Sequence, residues 1–71
     1  MVINMETITV EEIKSGVIAA LLEMDIVIAK SRLILWEGMI SEDGFEGYSI
    51  QDIAEYYEIK HIVDKLYAEI A

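Results

Sequence analysis

The sequence contains no cysteine and no proline, and it contains a single histidine. Without cysteine the chain can form neither a disulfide nor a thiolate metal site, and one histidine makes an imidazole site a poor expectation. A single core rarely contributes more than about 3–5 kcal/mol in so short a chain, so small domains usually add disulfides, a metal or oligomerisation. Oligomerisation remains, and we expect a homodimer without a cofactor. The missing cysteine also fits a reducing compartment.

Positive charge is scarce, since five basic residues stand against fourteen acidic ones and give a formal net charge of −9. This charge argues against nucleic acid and against an anionic membrane surface as partners. Long apolar runs are also missing, because the uncharged stretch at residues 15–22 is far shorter than the ~20 residues that span a bilayer. The N-terminus lacks the basic region of a signal peptide. We therefore expect a cytoplasmic protein, of a bacterial or virus-infected host cell.

Capping patterns mark two helix starts. Thr9 precedes Glu12 by three residues, which is the spacing of a capping box, and Ser49 precedes Asp52 in the same way. Gly38 can adopt the left-handed conformation that ends helices. The sequence thus predicts a long first helix over residues 10–37 and an acidic connecting loop over residues 39–48. Residues 1–8 have no clear period and are expected to form a flexible arm of this single domain or a short strand added to a partner.

The predicted first helix is apolar on two separate faces when its residues are placed at about 100° intervals. One face holds Ile13, Val17, Ala20, Met24, Val27, Ile28 and Leu35. The other holds Ile18, Leu22, Ile26, Ala29, Leu33, Trp36 and Ile40. A surface helix needs one apolar face, so a helix with two must be covered from two sides. We expect the second half of the chain to cover one face and a second subunit or a target protein to cover the other.

We place the homodimer interface on the second of these faces, with the first face as the alternative. The predicted interface residues are Ile18, Leu22, Ile26, Ala29, Leu33 and Trp36. Trp36 is the expected anchor, because tryptophan buries a large area and keeps one polar group. Filling the core is its alternative role.

The second half of the chain reverses its apolar face. Residues Ile50, Ile53, Ala54 and Tyr57 share one helix face. Residues Ile59, Ile62, Val63, Leu66 and Ile70 share a face that points nearly the opposite way. The reversal predicts a break near Glu58 and two shorter helices, over residues 50–57 and 60–70. One continuous helix held from both sides is the alternative. The predicted fold is therefore an all-α helical bundle.

Residues 49–66 resemble a helix-turn-helix in outline. The resemblance lies in the Ile53-Ala54 pair, the turn near Glu58, and the apolar side chains of a second helix at Ile62, Val63 and Leu66. It implies a small DNA-binding transcriptional regulator. The sequence departs from the pattern because Glu58 stands where the turn glycine is usual. The second helix also offers only Lys60, His61 and Lys65 to a polyanion.

Acidic residues dominate the middle of the chain, where no basic residue occurs between positions 33 and 59. The seven acids are Glu37, Glu42, Asp43, Glu46, Asp52, Glu55 and Glu58. They suggest a negative surface that docks on a basic protein surface and imitates the phosphates of nucleic acid. A solvated, solubilising surface is the alternative.

Little in the sequence suggests catalysis or metal binding. His61 shares one helix side with Tyr57 and Asp64, but no nucleophile or glycine-rich phosphate loop accompanies it. The acids of the predicted loop lack the alternating ligands of a calcium-binding loop. We expect no enzyme.

The leading hypothesis is a small, acidic, self-associating interaction protein that acts as an inhibitor or adaptor. Chains of this type are common among phage and mobile-element proteins that block a host machine. The alternatives are the helix-turn-helix regulator and a structural oligomerisation module.

Overall fold

A computed structural model describes residues 9–71 of the protein. They form three α-helices, α1 (Val10–Leu22), α2 (Ile26–Asp43) and α3 (Ile50–Ile70), and this part of the chain contains no strand. The prediction of an all-α fold is confirmed. The predicted arm, residues 1–8, lies outside the described residues. None of the three helices has both the length and the apolar character needed to cross a membrane.

The prediction of one long helix over residues 10–37 is wrong, because the chain turns between α1 and α2. Met24 adopts a left-handed conformation with φ 60°. Its amide donates to the carbonyl of Leu21 (3.0 Å), and the amide of Asp25 donates to the carbonyl of Ala20 (2.9 Å). These two bonds form the Schellman motif that terminates helices. The Asp25 carboxylate then accepts from the amide of Ile28 (3.2 Å) and caps the start of α2.

This turn explains the two apolar faces. In α1 the buried residues come from the first face and comprise Ile13, Val17 and Ala20. In α2 they come from the second face and comprise Ile26, Ala29, Leu33, Trp36 and Ile40. Because the chain changes direction at this turn, α1 and α2 direct different faces into one common core. The members of the first face that lie after α1, and the members of the second face that lie in α1, are exposed.

The helix α2 continues through Gly38 and ends at Gly44, which takes the left-handed conformation with φ 60°. The acidic loop predicted over residues 39–48 is therefore shorter, and residues 44–49 connect α2 to α3. Residues 39–43 form the last turn of α2. Gly38 is an exposed residue within α2, so the prediction that it ends the helix is wrong.

The predicted break near Glu58 is also wrong, because α3 is one continuous helix of 21 residues. The buried residues of α3 are Tyr56, Ile59 and Val63. Ile59 and Val63 belong to the second predicted face, whereas Ile62 of the same face is exposed. The turn on which the helix-turn-helix resemblance depends is not formed. The capping box at its start is present as predicted, since the Ser49 side chain accepts from the amide of Asp52 (3.0 Å).

The core lies mainly between α2 and its two neighbours. The helix α1 packs on α2, α2 packs on α3, and α1 and α3 make few contacts with each other. Trp36 is fully buried at the centre of α2, and its ring meets the edge of Tyr56 at a centroid distance of 5.1 Å. Because α1 and α3 diverge, a surface groove opens between them.

Candidate functional site

Three exposed carboxylates lie where α2 meets the loop to α3. Glu42 and Asp43 occupy the last turn of α2, and Glu46 lies in the loop. Within residues 9–71 none of the three forms an ion pair. We call this group the acidic corner. Its charge faces solvent without a neighbouring cation.

The other four predicted partner-binding acids have different surroundings. Glu37 accepts hydrogen bonds from Lys60 Nζ (2.9 Å) and from the hydroxyl of Tyr56 (3.1 Å). Glu55 pairs with Lys14 Nζ at 2.8 Å, and Asp52 completes the capping box of α3. Glu58 is exposed on α3. The structure therefore divides the acidic run into residues that hold the fold together and residues that face outward.

Most of the basic groups are engaged within the chain. Lys60 pairs with Glu37 and Asp64, Lys30 pairs with Asp64 at 2.9 Å, and the guanidinium of Arg32 donates to the carbonyl of Gly16 at 2.7 Å. Lys65 is exposed and forms no ion pair with the residues that the structure describes. The outward surface is thus more uniformly negative than the composition alone requires.

These pairs change the pKa values of their members. The Glu37 carboxylate, aided by Asp64, raises the pKa of Lys60, and Lys30 together with Lys60 lowers the pKa of Asp64. Burial, together with the hydrogen bond to Glu37, raises the pKa of Tyr56 to about 12. All these groups lie along the contact between α2 and α3, so they stabilise that contact.

Four of the six predicted interface residues belong to the core of a single chain. Ile26, Ala29, Leu33 and Trp36 are buried by the other helices, so no second subunit is needed to cover them. The indole N–H of Trp36 is buried and has no hydrogen-bond partner among the described residues. The remaining two, Ile18 and Leu22, are exposed on α1.

Those two residues form one wall of the groove between α1 and α3, which has a volume of about 450 Å³. Its apolar lining comprises Ile18, Leu21, Leu22, Ile59, Ile62 and Leu66. We call it the apolar groove. Lys14, Glu55 and Glu58 line it as well. The groove was not predicted from the sequence, because its formation depends on which faces of two distant segments come together.

The groups considered for catalysis do not form a catalytic cluster. Asp64 is bound to Lys30 and Lys60, and His61 is exposed on the surface of α3. Among residues 9–71, no three acidic or histidine side chains are placed to hold a metal ion together. The surface features that remain include the acidic corner, the apolar groove and exposed aliphatic residues of α2, among them Val27, Ile34 and Leu35.

Comparisons of the chain with protein-family models, with curated proteins and with solved structures find no match.

Proposed function

We propose that the protein is a non-enzymatic interaction protein, an inhibitor or adaptor that docks its acidic corner on a basic surface of another protein. The observation that carries this proposal is the position of Glu42 and Asp43. Both are exposed, unpaired within residues 9–71, and located in the last turn of a helix.

Carboxylates at this position oppose folding. The carboxyl end of a helix carries partial negative charge, so acidic residues there cost about 0.3–1 kcal/mol each. No basic residue occurs in the last turn of α2 to offset this cost. Charges that destabilise the fold and form no ion pair within residues 9–71 favour a binding role, because functional groups are commonly retained at the expense of stability.

The charge distribution also suits a basic partner. Because Lys14, Lys30 and Lys60 are neutralised by internal ion pairs, little positive charge remains to repel a cationic surface. A net charge of −9 accelerates the approach of such a surface at low ionic strength. Binding should therefore weaken strongly as salt is added.

The test compares two variants of equal net charge. The corner variant carries Glu42→Gln, Asp43→Asn and Glu46→Gln. The control variant carries Glu11→Gln, Glu23→Gln and Glu69→Gln, which remove three exposed acids elsewhere. Calorimetric titration with a lysine-rich histone at about 0.15 M salt should show about tenfold weaker binding for the corner variant and at most about threefold for the control. Equal losses would mean that only net charge matters and would reject the acidic corner.

Binding of duplex DNA tests the alternative function, a DNA-binding regulator. Lys60 lies between Glu37 and Asp64, so it is not free to contact phosphates. We expect no mobility shift of duplex DNA, even at low salt. A clear shift would favour the DNA-binding alternative instead.

A further inference from the structure

The apolar groove exposes more hydrophobic surface than folding alone explains. Leu22 is 80% exposed, and Ile18 and Ile62 are 39% and 41% exposed. An apolar surface of this kind usually marks a contact with another molecule.

The charges beside the groove indicate what that molecule is. Glu58 precedes Ile62 by four residues and Lys65 follows it by three. At 100° per residue, Glu58 and Lys65 lie about 40° and about 60° from Ile62 on the same flank of α3. They also lie about 6 Å before and about 4.5 Å after Ile62 along the helix axis. The flank is therefore self-complementary when two α3 helices pack in opposite directions.

We infer that a second copy of this chain occupies the apolar groove, with the two α3 helices antiparallel about a two-fold axis beside Ile62. In this arrangement Glu58 of each copy lies opposite Lys65 of the other, which gives two symmetric ion pairs. On the other flank, Leu66 of each copy lies opposite Ile59, which lines the groove. The inference goes beyond the proposed function, because it requires no basic partner.

The opposite orientation is disfavoured by the same residues. A parallel pair places the charged flank of one helix, with Glu58 and Lys65, against the apolar flank of the other. That arrangement would bury charges without partners, which is costly. An antiparallel contact is also isologous, so it closes after two copies and does not continue into a filament.

One pair of like charges opposes this antiparallel arrangement. Glu55 and Glu69 face one another across the two-fold axis, about 10 Å from Ile62. Packed helices cross at angles of about 20° to 50°, which separates their ends. Glu55 is in addition paired with Lys14 at 2.8 Å. The repulsion at the ends is therefore small beside the contact at the centre.

The first experiment measures solution mass. Sedimentation equilibrium from about 1 to about 300 µM should show a reversible dimer of the unaltered protein. Ile62→Glu should leave the helical circular dichroism unchanged and give a monomer. Ile28→Glu is the matched control, because Ile28 is exposed to the same 41% but lies on α2, away from the groove. A parent protein that stays monomeric, or a dimer unaffected by Ile62→Glu, overturns the inference.

The second experiment tests the orientation by exchanging charges. Glu58→Lys and Lys65→Glu should each weaken the dimer by about tenfold or more, because each replaces two attractive pairs with two repulsive ones. Mixing the two variants should restore association as a heterodimer, and so should both changes in one chain. Failure of both rescues rules out the antiparallel pairing. The double variant keeps both the net charge and the acidic corner, so its histone binding reports independently on the proposed function.

Discussion

The two sides of α3 are built differently. The side against α2 is closed by Tyr56 and Val63, and the hydrogen-bonded series Tyr56–Glu37–Lys60–Asp64–Lys30 runs along it. The side against α1 has one ion pair to that helix, Lys14–Glu55, and otherwise opens into the apolar groove. Both sides carry large aliphatic residues. The closed side has a connected series of polar contacts between two helices, whereas the open side has a single ion pair.

The difference separates the side of α3 that is packed in the fold from the side that the fold leaves partly uncovered. A hydrogen-bonded series across two helices selects one register, because each polar group loses its partner when the helices slide. The aliphatic lining of the groove carries no such series, so only the shape of the groove and the charges at its edge select what can bind there. The closed side therefore fixes how α3 packs on α2, and the open side remains partly uncovered in the single chain.

The largest expected contrast comes from two adjacent residues of α3 that lie on different sides. Val63 is fully buried against α2, whereas Ile62 is 41% exposed in the apolar groove. Val63→Ala should lower the free energy of unfolding by about 2 kcal/mol, through lost burial and a residual cavity. Ile62→Ala should lower it by less than about 1 kcal/mol when measured on the monomer.

Urea unfolding below about 1 µM protein, where dimers dissociate, measures both values. Similar losses for the two variants would mean that the groove is part of the folding core. The distinction between a closed and an open side of α3 would then be wrong.

The next prediction concerns alkaline pH and the closed side alone. The folded pKa of Tyr56 is about 12, above the ordinary value of 10.0, so an unfolded chain loses this proton first. The contribution of Tyr56 to the free energy of unfolding is fully present below pH 10 and is lost as pH rises towards 12. The raised pKa of Lys60 acts in the same direction, above its ordinary value of 10.5.

Thermal unfolding between pH 9 and 12 should therefore show a falling midpoint, which Tyr56→Phe makes shallower. The absorbance of phenolate near 295 nm should show a late-titrating tyrosine that the same variant removes. An unchanged titration in Tyr56→Phe would contradict the assignment.

The helix ends were predictable where a local pattern determines them. Thr9 with Glu12 and Ser49 with Asp52 form the expected capping boxes, because both partners of each box lie within three residues. The turn after Leu22 was missed because a methionine, not a glycine, occupies its left-handed position. Asp25 was the one local indication, since aspartate is a preferred N-cap residue.

The apolar groove and the hydrogen-bonded series could not be predicted, because both depend on contacts between distant parts of the chain. Whether Ile62 or Val63 is buried depends on how α3 is rotated against α2, and this rotation is set by contacts such as Lys60 with Glu37, 23 residues apart. Apolar periodicity showed that α3 has two apolar faces. It could not show that one face would remain uncovered, so it suggested a break in the helix instead.

A smaller effect is expected at the turn beside the groove. Met24 is 75% exposed and has φ 60°, a conformation that costs a side-chain-bearing residue about 1 kcal/mol. Met24→Gly should therefore raise the free energy of unfolding by about 0.5–1 kcal/mol, and Met24→Ala should not. The pair of variants separates relief of backbone strain from loss of the exposed side chain. A stabilisation by alanine as large as that by glycine would show that strain is not the cause.

The smallest expected effect lies at the acidic corner and links stability to binding. Glu42→Gln with Asp43→Asn removes two negative charges from the carboxyl end of α2, so it should stabilise the protein by about 0.6 kcal/mol at low salt, the lower end of the range for two exposed charges. The gain should diminish near 1 M salt, because screening removes the repulsion between the carboxylates and the helix dipole. The same variant should bind the histone more weakly. A protein that becomes more stable and binds less well would indicate that these carboxylates are retained for contact with a partner. Lower stability in the variant would instead mean that the two carboxylates support the fold, and the main argument for the acidic corner would fail.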